Sequence, residues 1–471
     1  MSRRPLTLPL VAILAFLLRS STAAAEQSAG QERSRFLGSV PTGQATGTAL
    51  PLSLKDAFDR ALTYNLGLIE SDQNARAARA VRLRNLSALL PDVSASVSST
   101  HQQIDLRALG FSLSLPGVSL PTIVGPFNVA DARVYVSQPI FNWADIQSWK
   151  SAAESERASR HTYRNDRDLV VLSTGNAYLV VISDHATVDS TRAQVTTAKA
   201  LYDRAVDRNT AGVIASIDVL RAQVELQTQQ QRLIAAENQL AIDKLTLARI
   251  IGLPKGQEFQ VTDAVPFAPL NSITLDQALE QAYATRPDYL GARAQLRAAE
   301  LAGQAAAAAH YPSLSTDADY GDIGSPNFGT SHGTFSVAVT LHVPIFQGTR
   351  VRADELQADA ALQQRRAELA DLDGRIDEQV RTAFLNLKSS SDLVAVTESN
   401  IGLANQTLAQ ARDRFAAGVA DNLEVVQAQE LVVAANQSNI ASLHAYNVAK
   451  ISLAQAIGVA EQSALTYLGA K

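Results

Sequence analysis

Two kinds of periodicity divide this chain. After Pro91, Val93, Ala95 and Val97 alternate with Ser94, Ser96 and Ser98; before Pro139, Ala132, Val134 and Val136 alternate with Asp131, Arg133, Tyr135 and Ser137. A second pair of runs sets Leu314, Thr316 and Ala318 against Ser315, Asp317 and Asp319, then Phe335, Val337, Val339, Leu341 and Val343 against Thr334, Ser336, Ala338, Thr340 and His342. A period of two predicts four strands, each with one apolar and one polar face. Around them the period is helical. Ser53 with Asp56, and Thr274 with Gln277, have capping-box spacing, and the first box opens onto the apolar stripe Leu54, Ala57, Phe58, Ala61 and Leu62. The Ala- and Arg-rich helices that follow end at Pro91 and Pro312, because proline lacks a backbone donor and pushes the residue before it out of the helical region.

From Trp143 to about Arg208, and from Arg350 to about Phe415, more than 60 residues of helical pattern run without a proline. At about 1.5 Å per residue each helix is on the order of 100 Å long. Each breaks at a short turn, Thr210-Ala211-Gly212-Val213 or Ala416-Ala417-Gly418-Val419, and resumes as far as Ile251-Gly252 or Ile457-Gly458. The apolar residues of the first returning helix, among them Leu220, Val224, Leu233, Leu240 and Leu247, are interleaved with Ala and Gln. So narrow a stripe fits a coiled-coil seam better than a globular core.

The pattern is written twice. Leu52 to Leu68 lies over Ile273 to Tyr289 at an offset of 221 residues, and Pro91 meets Pro312 at the same offset. Further on, SQPIF around Pro139 faces HVPIF around Pro344 at an offset of 205, and the two Gly turns and the two Ile-Gly pairs correspond at 206. The first copy is therefore longer by 16 residues between its two strands, a loop rich in Gly and Pro. This organisation predicts a first repeat over 52–253, a linker over 254–272, a second repeat over 273–459 and a C-terminal tail over 460–471. Residues 26–51, polar and without a period, read as a flexible lead-in.

Composition narrows the setting. Arg3 and Arg4, an apolar run from Leu6 to Leu18 and the small residues Ala23-Ala24-Ala25 read as a cleaved secretory signal over 1–25. The chain has no cysteine, which excludes disulfides, thiolate chemistry and a lipidated N-terminal Cys. Its net charge is −5, more negative once the signal is gone, and no basic face suited to nucleic acid is expected. The long uncharged run from Ala108 to Ala130 contains Pro116, Pro121 and Pro126 and does not read as a membrane helix.

Candidate chemistry is sparse. Gly329-Thr330-Ser331-His332-Gly333 spells a nucleophile elbow, but a strand is predicted after it where an elbow needs a helix, so a hydrolase built on Ser331 is disfavoured. Seven histidines show no metal-binding spacing, and Asp317, Asp319 and Asp322 lack the Gly and Glu of a calcium loop. Neither metal nor cofactor is expected. Phe141, Trp143, Trp149 and Phe346 gather where strands give way to long helices, as an interfacial girdle or as ordinary core.

Four amphipathic strands cannot close a barrel, since closures begin at about eight, so two or three copies are needed if the strands enter lipid. The order helix, Pro, strand, strand, Pro-Ile-Phe, long helix, Ala-Gly-Val turn, helix and Ile-Gly, twice over, resembles the TolC-like outer membrane efflux protein family. Its marks here are LSLKDAF and ITLDQAL, ALLPDVS and AHYPSLS, QPIFNW and VPIFQG, and the Gly turns followed by IDVLRAQ and LEVVQAQ. The resemblance implies a mainly α chain with a β-barrel contribution. A homotrimer would form a 12-stranded outer-membrane barrel continued by a periplasmic α-helical barrel of coiled coils. It implies a passive exit duct of a tripartite efflux or type I secretion system, working with a periplasmic adaptor (membrane fusion protein) and an inner-membrane pump.

By the same resemblance the turns at Gly212, Val213, Gly418 and Val419 dock the adaptor. Asp218 and Glu424 would narrow the tunnel end, although Arg221 and Gln427 stand where further carboxylates could occur. Outer-membrane lipid would meet Val134, Val136, Phe335, Val337, Val339 and Leu341, with Ala132. A competing reading is a periplasmic helical scaffold with a small soluble sheet, in which protein would cover that same face.

Overall fold

The computed structural model describes residues 35–110, 114–115, 118–119, 121–263, 267–270, 273–325, 329–417, 419 and 422–469. A short strand β1 (Leu50–Leu52) leads into α1 (Leu54–Tyr64) and α2 (Leu66–Ser87). Then come β2 (Asp92–Asp105), a small hairpin of β3 (Ser114–Leu115) and β4 (Val118–Ser119), β5 (Ile123–Phe141), the long helix α3 (Trp143–Thr210), α4 (Ser216–Ile250) and β6 (Phe259–Val261). The second half repeats the order with α5 (Leu275–Thr285), α6 (Pro287–Ala307) ending in a 3-10 turn, β7 (Ser313–Gly324), β8 (His332–His342), α7 (Arg350–Ala416) and α8 (Asn422–Ile457). A closing helix, α9, spans Ala460–Leu468.

Both predicted capping boxes are formed. Ser53 Oγ accepts from Asp56 N at 3.1 Å while Asp56 accepts from Ser53 N at 3.3 Å; Thr274 and Gln277 do the same at 3.3 and 3.1 Å. These bonds satisfy amide donors that the first helical turn leaves without intrahelical partners.

The contacts separate two units. One comprises residues up to 74, 160–291 and 370 onwards; the other comprises 75–159 and 292–369. In the first, the stripe Leu54, Ala57, Phe58 and Ala61 of α1 is buried with Val170, Val171, Tyr178 and Val181 of α3, Leu247 and Ile250 of α4, and Ile451 and Ala454 of α8. Each large side chain buried here is worth roughly 1.5–3 kcal/mol. By length and composition α3 could cross a membrane, which the sequence had not suggested for any segment after the signal. Its fully buried Val170, Val171 and Val181 mark it instead as a core helix.

The described parts of both end segments pack on the helical core. Residues 26–51 were expected to be a flexible lead-in, yet the described part docks on the helical core. Phe36 is buried and its carbonyl accepts from Asn65 Nδ2 at 2.7 Å; Val40 N donates to Tyr64 O at 2.9 Å. β1 pairs in parallel with β6, Leu50 beside Phe259 and Leu52 beside Val261. The hydroxyl of Tyr178 lies 2.9 Å from Leu52 O and 2.8 Å from Asp263 Oδ2 and ties these strands to α3.

The expected tail over 460–471 contains α9, with Ala460, Ala464 and Leu468 in the core. Asp168 Oδ1 accepts from Glu461 N at 2.9 Å at the start of α9, and Arg167 Nε donates to Glu461 at 2.7 Å.

Burial pushes the Asp168 carboxyl up to about 6, with the hydrogen bond from Glu461 N opposing the shift. The folded state therefore takes up a proton between the ordinary carboxyl value near 3.9 and about 6, and stability falls as pH rises through that window. Asp168→Asn keeps an oxygen for Glu461 N–H and removes the charge. Thermal unfolding of this variant is expected to match the parent at pH 4 and to exceed it at pH 7, by about 1–3 kcal/mol; equal melting at both pH values would refute the assignment.

The second unit is built on a four-stranded antiparallel sheet in the order β2-β5-β7-β8. Much of the length difference between the repeats falls between β2 and β5, where residues 106–122 connect the strands against 325–331 between β7 and β8; the rest lies in the longer strands of the first repeat.

Candidate functional site

Residues directly opposite one another in an antiparallel pair share a face. The register puts Val93, Val136, Ala318 and Val337 in one cross-strand row and Ala95, Val134, Tyr320 and Phe335 in the next. Val339 and Leu341 continue this face opposite Thr316 and Leu314, and Ala132 joins it beside Val97. Val134, Val136, Phe335, Val337, Val339 and Leu341 are all exposed, Phe335 at 76%, while Ala132 is half-buried. An exposed face this rich in large apolar side chains marks an interaction surface.

The opposite face is polar and internally paired. Arg133 on β5 bridges to Asp131 at 3.3 Å, to Asp319 on β7 and to Thr334 Oγ1 on β8 at 3.2 Å, and Ser336 donates to Asp319. Ser137 Oγ donates to Asp317 at 2.7 Å. Asp322, by contrast, stands opposite Ala132 on the apolar side, so the three aspartates do not converge.

The sheet is open. Among the described residues β2 and β8 are its edges, 14 and 11 residues long, and neither pairs with a further strand. Soluble sheets guard such edges with Lys, Pro or inward charges. β8 has no charged residue and no proline, and β2 has charges only at its two ends, Asp92 and Asp105. Phe141 and Trp143 lie with ring centroids 6.4 Å apart at the strand–helix junction; Phe346 is 89% exposed, and Trp149 is half-buried.

The helix-tip turns form a second candidate surface. Gly212 adopts φ +72°, and Val213 N donates to Arg208 O at 2.8 Å with Gly212 N to Asn209 O at 2.9 Å, a Schellman closure that needs the left-handed conformation. Val419 N donates to Arg414 O at 2.9 Å, the matching bond in the second repeat; Gly418 itself lies outside the described residues. Val213 and Val419 are both exposed.

The four constriction candidates are not brought into one charged ring within the chain. Asp218 pairs with Arg221 at 3.4 Å along α4, Glu424 pairs with Arg414 at 3.3 Å across its turn, and Gln427 is exposed on α8. Sequence reasoning missed Arg414 and its counterpart Arg208, whose guanidinium lies 4.8 Å from the Phe415 ring centroid. Their equivalence at an offset of 206 was the available signal. Also missed was an apolar groove of about 380 Å³ along α4 and α8, lined by Ile217, Leu220, Val224, Leu423 and Val426.

Ser331 precedes β8 directly, so the strand-to-turn-to-helix geometry of a nucleophile elbow is not formed. Among the described residues no three His, Cys, Asp or Glu side chains gather as a metal cluster.

Comparisons with known proteins agree with this architecture. The chain is 26% identical over 421 residues to the pyoverdine export outer membrane protein OpmQ of Pseudomonas aeruginosa, covering 87% of this chain and 86% of that protein. It is 22% identical over 437 residues to the alkaline protease secretion protein AprF of the same organism, covering 90% and 88%. In fold it is similar to the CmeC outer membrane channel of Campylobacter jejuni, with a TM-score of 0.74, 16% identity and coverage of 90% of this chain and 92% of that one. The family model described as outer membrane efflux protein matches residues 57–253 and 278–459, one match on each repeat and together well over half the sequence. With its duplicated helices, amphipathic strands and paired tip turns, this chain belongs to the outer membrane efflux protein family.

Proposed function

We infer that three copies of this chain join their open sheets edge to edge into a 12-stranded outer-membrane barrel, continued by the long helices as a periplasmic tunnel. The assembly is a passive exit duct. The signal over 1–25 would deliver the chain across the inner membrane, and repeats over 52–253 and 273–459 would each supply two strands and a helical hairpin. The observation that supports this most directly is the sheet: two long unguarded edges and one exposed apolar face. An edge left open in lipid would strand its backbone donors and acceptors, and only closure with further strands satisfies them. β2 and β8 run antiparallel to one another in the chain, so β8 of one copy can meet β2 of the next head to tail around a ring. Two copies would supply eight strands and three would supply twelve; the family resemblance favours three.

In this reading Val134, Val136, Phe335, Val337, Val339 and Leu341 face lipid, and the Arg133–Asp319 network faces the lumen. Gly212, Val213, Gly418 and Val419 receive the periplasmic adaptor, and an inner-membrane pump supplies the energy. Asp218, Arg221, Glu424 and Gln427 lie at the tunnel end, where the arginine pairing of both acids leaves a weakly charged constriction. Cargo comes from the pump: OpmQ is named for pyoverdine export and AprF for protease secretion, so the duct class accommodates small molecules and polypeptides. The alternative periplasmic scaffold requires protein to cover the apolar face, and the chain's described residues leave it exposed.

Fractionation and detergent extraction test the assembly. The expected result is outer-membrane protein that migrates as a trimer unheated; a solitary subunit, or recovery from the soluble periplasm, would refute the proposal. Since the chain has no cysteine, Val213→Cys and Val419→Cys provide clean attachment points for a cross-linker in cells. Adducts containing an adaptor are expected at both turns, and none if the docking assignment is wrong.

A further inference from the structure

The two helices of the first hairpin meet along a seam whose register one ion pair fixes. Arg192 on α3 donates to Glu237 Oε1 on α4 at 2.9 Å. α3 and α4 run in opposite directions from the turn at Gly212, so a step of about two helical turns, roughly seven residues, back along one and forward along the other returns to the same seam. That step brings Asp184 to Asp243, and the two carboxyl groups lie within hydrogen-bonding reach of each other. Two ionised carboxylates at such a distance repel, and a bond between them requires a proton on one.

The surroundings offer no other way to neutralise the pair. Asp184 Oδ2 is buried and finds no donor among the described residues. Ionised, it would be a stranded acceptor; protonated, it becomes a donor that the Asp243 carboxylate can accept. The polar groups nearby in sequence are occupied: Gln239 Nε2 donates to Asp243 Oδ2 at 2.7 Å, His185 lies 3.0 Å from Asp189, and Lys244 Nζ is 5.9 Å from the Phe259 ring centroid. No charged group of any neighbouring element acts on Asp184 apart from Asp243; burial first, and then this partner, push its carboxyl up to about 7. The second hairpin has no such pair. At the offset of 206, Ser390 and Ala449 stand in place of the two aspartates, and Ser390 Oγ turns back to Leu387 O at 3.1 Å.

We propose that Asp184 and Asp243 form an acid-closed clasp, in which one shared proton ties α3 to α4 and its loss loosens them. The clasp belongs to the first repeat alone, so acidity stiffens the hairpin that carries Gly212 and leaves the hairpin that carries Gly418 unchanged. The folded chain holds a proton here that the unfolded chain has released. Stability from the clasp is therefore lost as pH rises from the ordinary carboxyl value near 3.9 to about 7, and the loss is complete beyond it. Asp168 titrates in the lower part of that range, and variants that all retain it cancel its contribution.

The test uses the full chain in detergent and does not depend on how many copies assemble. Because the chain has no cysteine, Asp184→Cys combined with Asp243→Cys is expected to form a disulfide under mild oxidation, which reports the closeness of the pair. Asp243→Asn keeps an oxygen for Gln239 and gives Asp184 a permanent donor. Its melting temperature should equal the parent's at pH 4, exceed it by a few degrees at pH 7, and keep that lead at pH 8. In infrared spectra at pH 6 the carbonyl band of protonated carboxyl groups should weaken in Asp184→Asn and in Asp243→Asn alike, a change that a purely structural role would not produce. Failure of the cysteine pair to cross-link, the same pH dependence of melting in the parent and Asp243→Asn, or an unchanged infrared band would overturn the proposal.

Discussion

Val337→Arg is expected to eliminate the proposed outer-membrane trimer. Val337 lies in the middle of β8, opposite Ala318 and in one row with Val136 and Val93, on the face proposed to meet lipid. An arginine at the midplane of a barrel's lipid face costs about 2–4 kcal/mol, and three copies would bring it to about 6–12 kcal/mol per ring. Domains retain only about 5–15 kcal/mol of net stability. The neighbouring substitution Ala338→Lys serves as the control, because Ala338 points to the polar face directly opposite Asp317 and a lysine there has a carboxylate to meet. Unheated gel migration of the outer-membrane fraction should show no trimer for Val337→Arg and a normal trimer for Ala338→Lys. If both variants assemble, the apolar face is not in lipid; if both fail, the sheet tolerates no added charge and the two faces are not distinct.

The strands were legible because each is half-buried in character: a period of two separates Val134 and Val136 from Arg133 and Tyr135 without any knowledge of partners. The capped helix starts were legible for a similar reason, since Ser53 and Asp56 meet within one turn. What escaped reading depends on pairs far apart in sequence. β1 is three residues long, too short for a period to register, and its partner β6 lies 209 residues away. Phe36 is a single apolar anchor in a polar stretch, and α9 is a nine-residue helix whose start is set by Asp168 on α3. At the tips, Asp218 and Glu424 were readable as first-turn acids. The pairing of Asp218 with Arg221 follows from their spacing of three residues on α4, whereas that of Glu424 with Arg414, ten residues earlier and across a turn, was not readable.

The duplicated Ile-Gly pair was visible as a mark whose reason only the packing supplies. Gly458 has φ +81°, and a Cβ placed on it would lie 2.6 Å from Arg286 Cα and 3.0 Å from Arg286 N. Val459 N donates to Ala454 O at 2.9 Å, so the glycine closes α8 in a left-handed turn directly against the corner between α5 and α6. That corner is itself fixed: Thr285 Oγ1 donates to Ile457 O at 2.7 Å, and buried Arg286 donates to Ala456 O at 3.1 Å and pairs with Asp288 at 2.7 Å. Gly252 makes the same approach to Tyr64 at the corner between α1 and α2, in the first repeat.

A methyl group at Gly458 would meet backbone that cannot swing aside. Gly458→Ala is therefore expected to cost about 3–5 kcal/mol, the sum of a non-glycine residue in a left-handed conformation and of overpacking against rigid neighbours. Gly256→Ala isolates the first component. Gly256 has φ +80° but nothing within 4 Å of the added carbon, so it should cost only about 1–2 kcal/mol. Urea unfolding followed by the helical circular dichroism signal measures both. Equal losses at the two positions would show that Gly458 is required only for its backbone conformation, and that the helix corner yields to an added methyl.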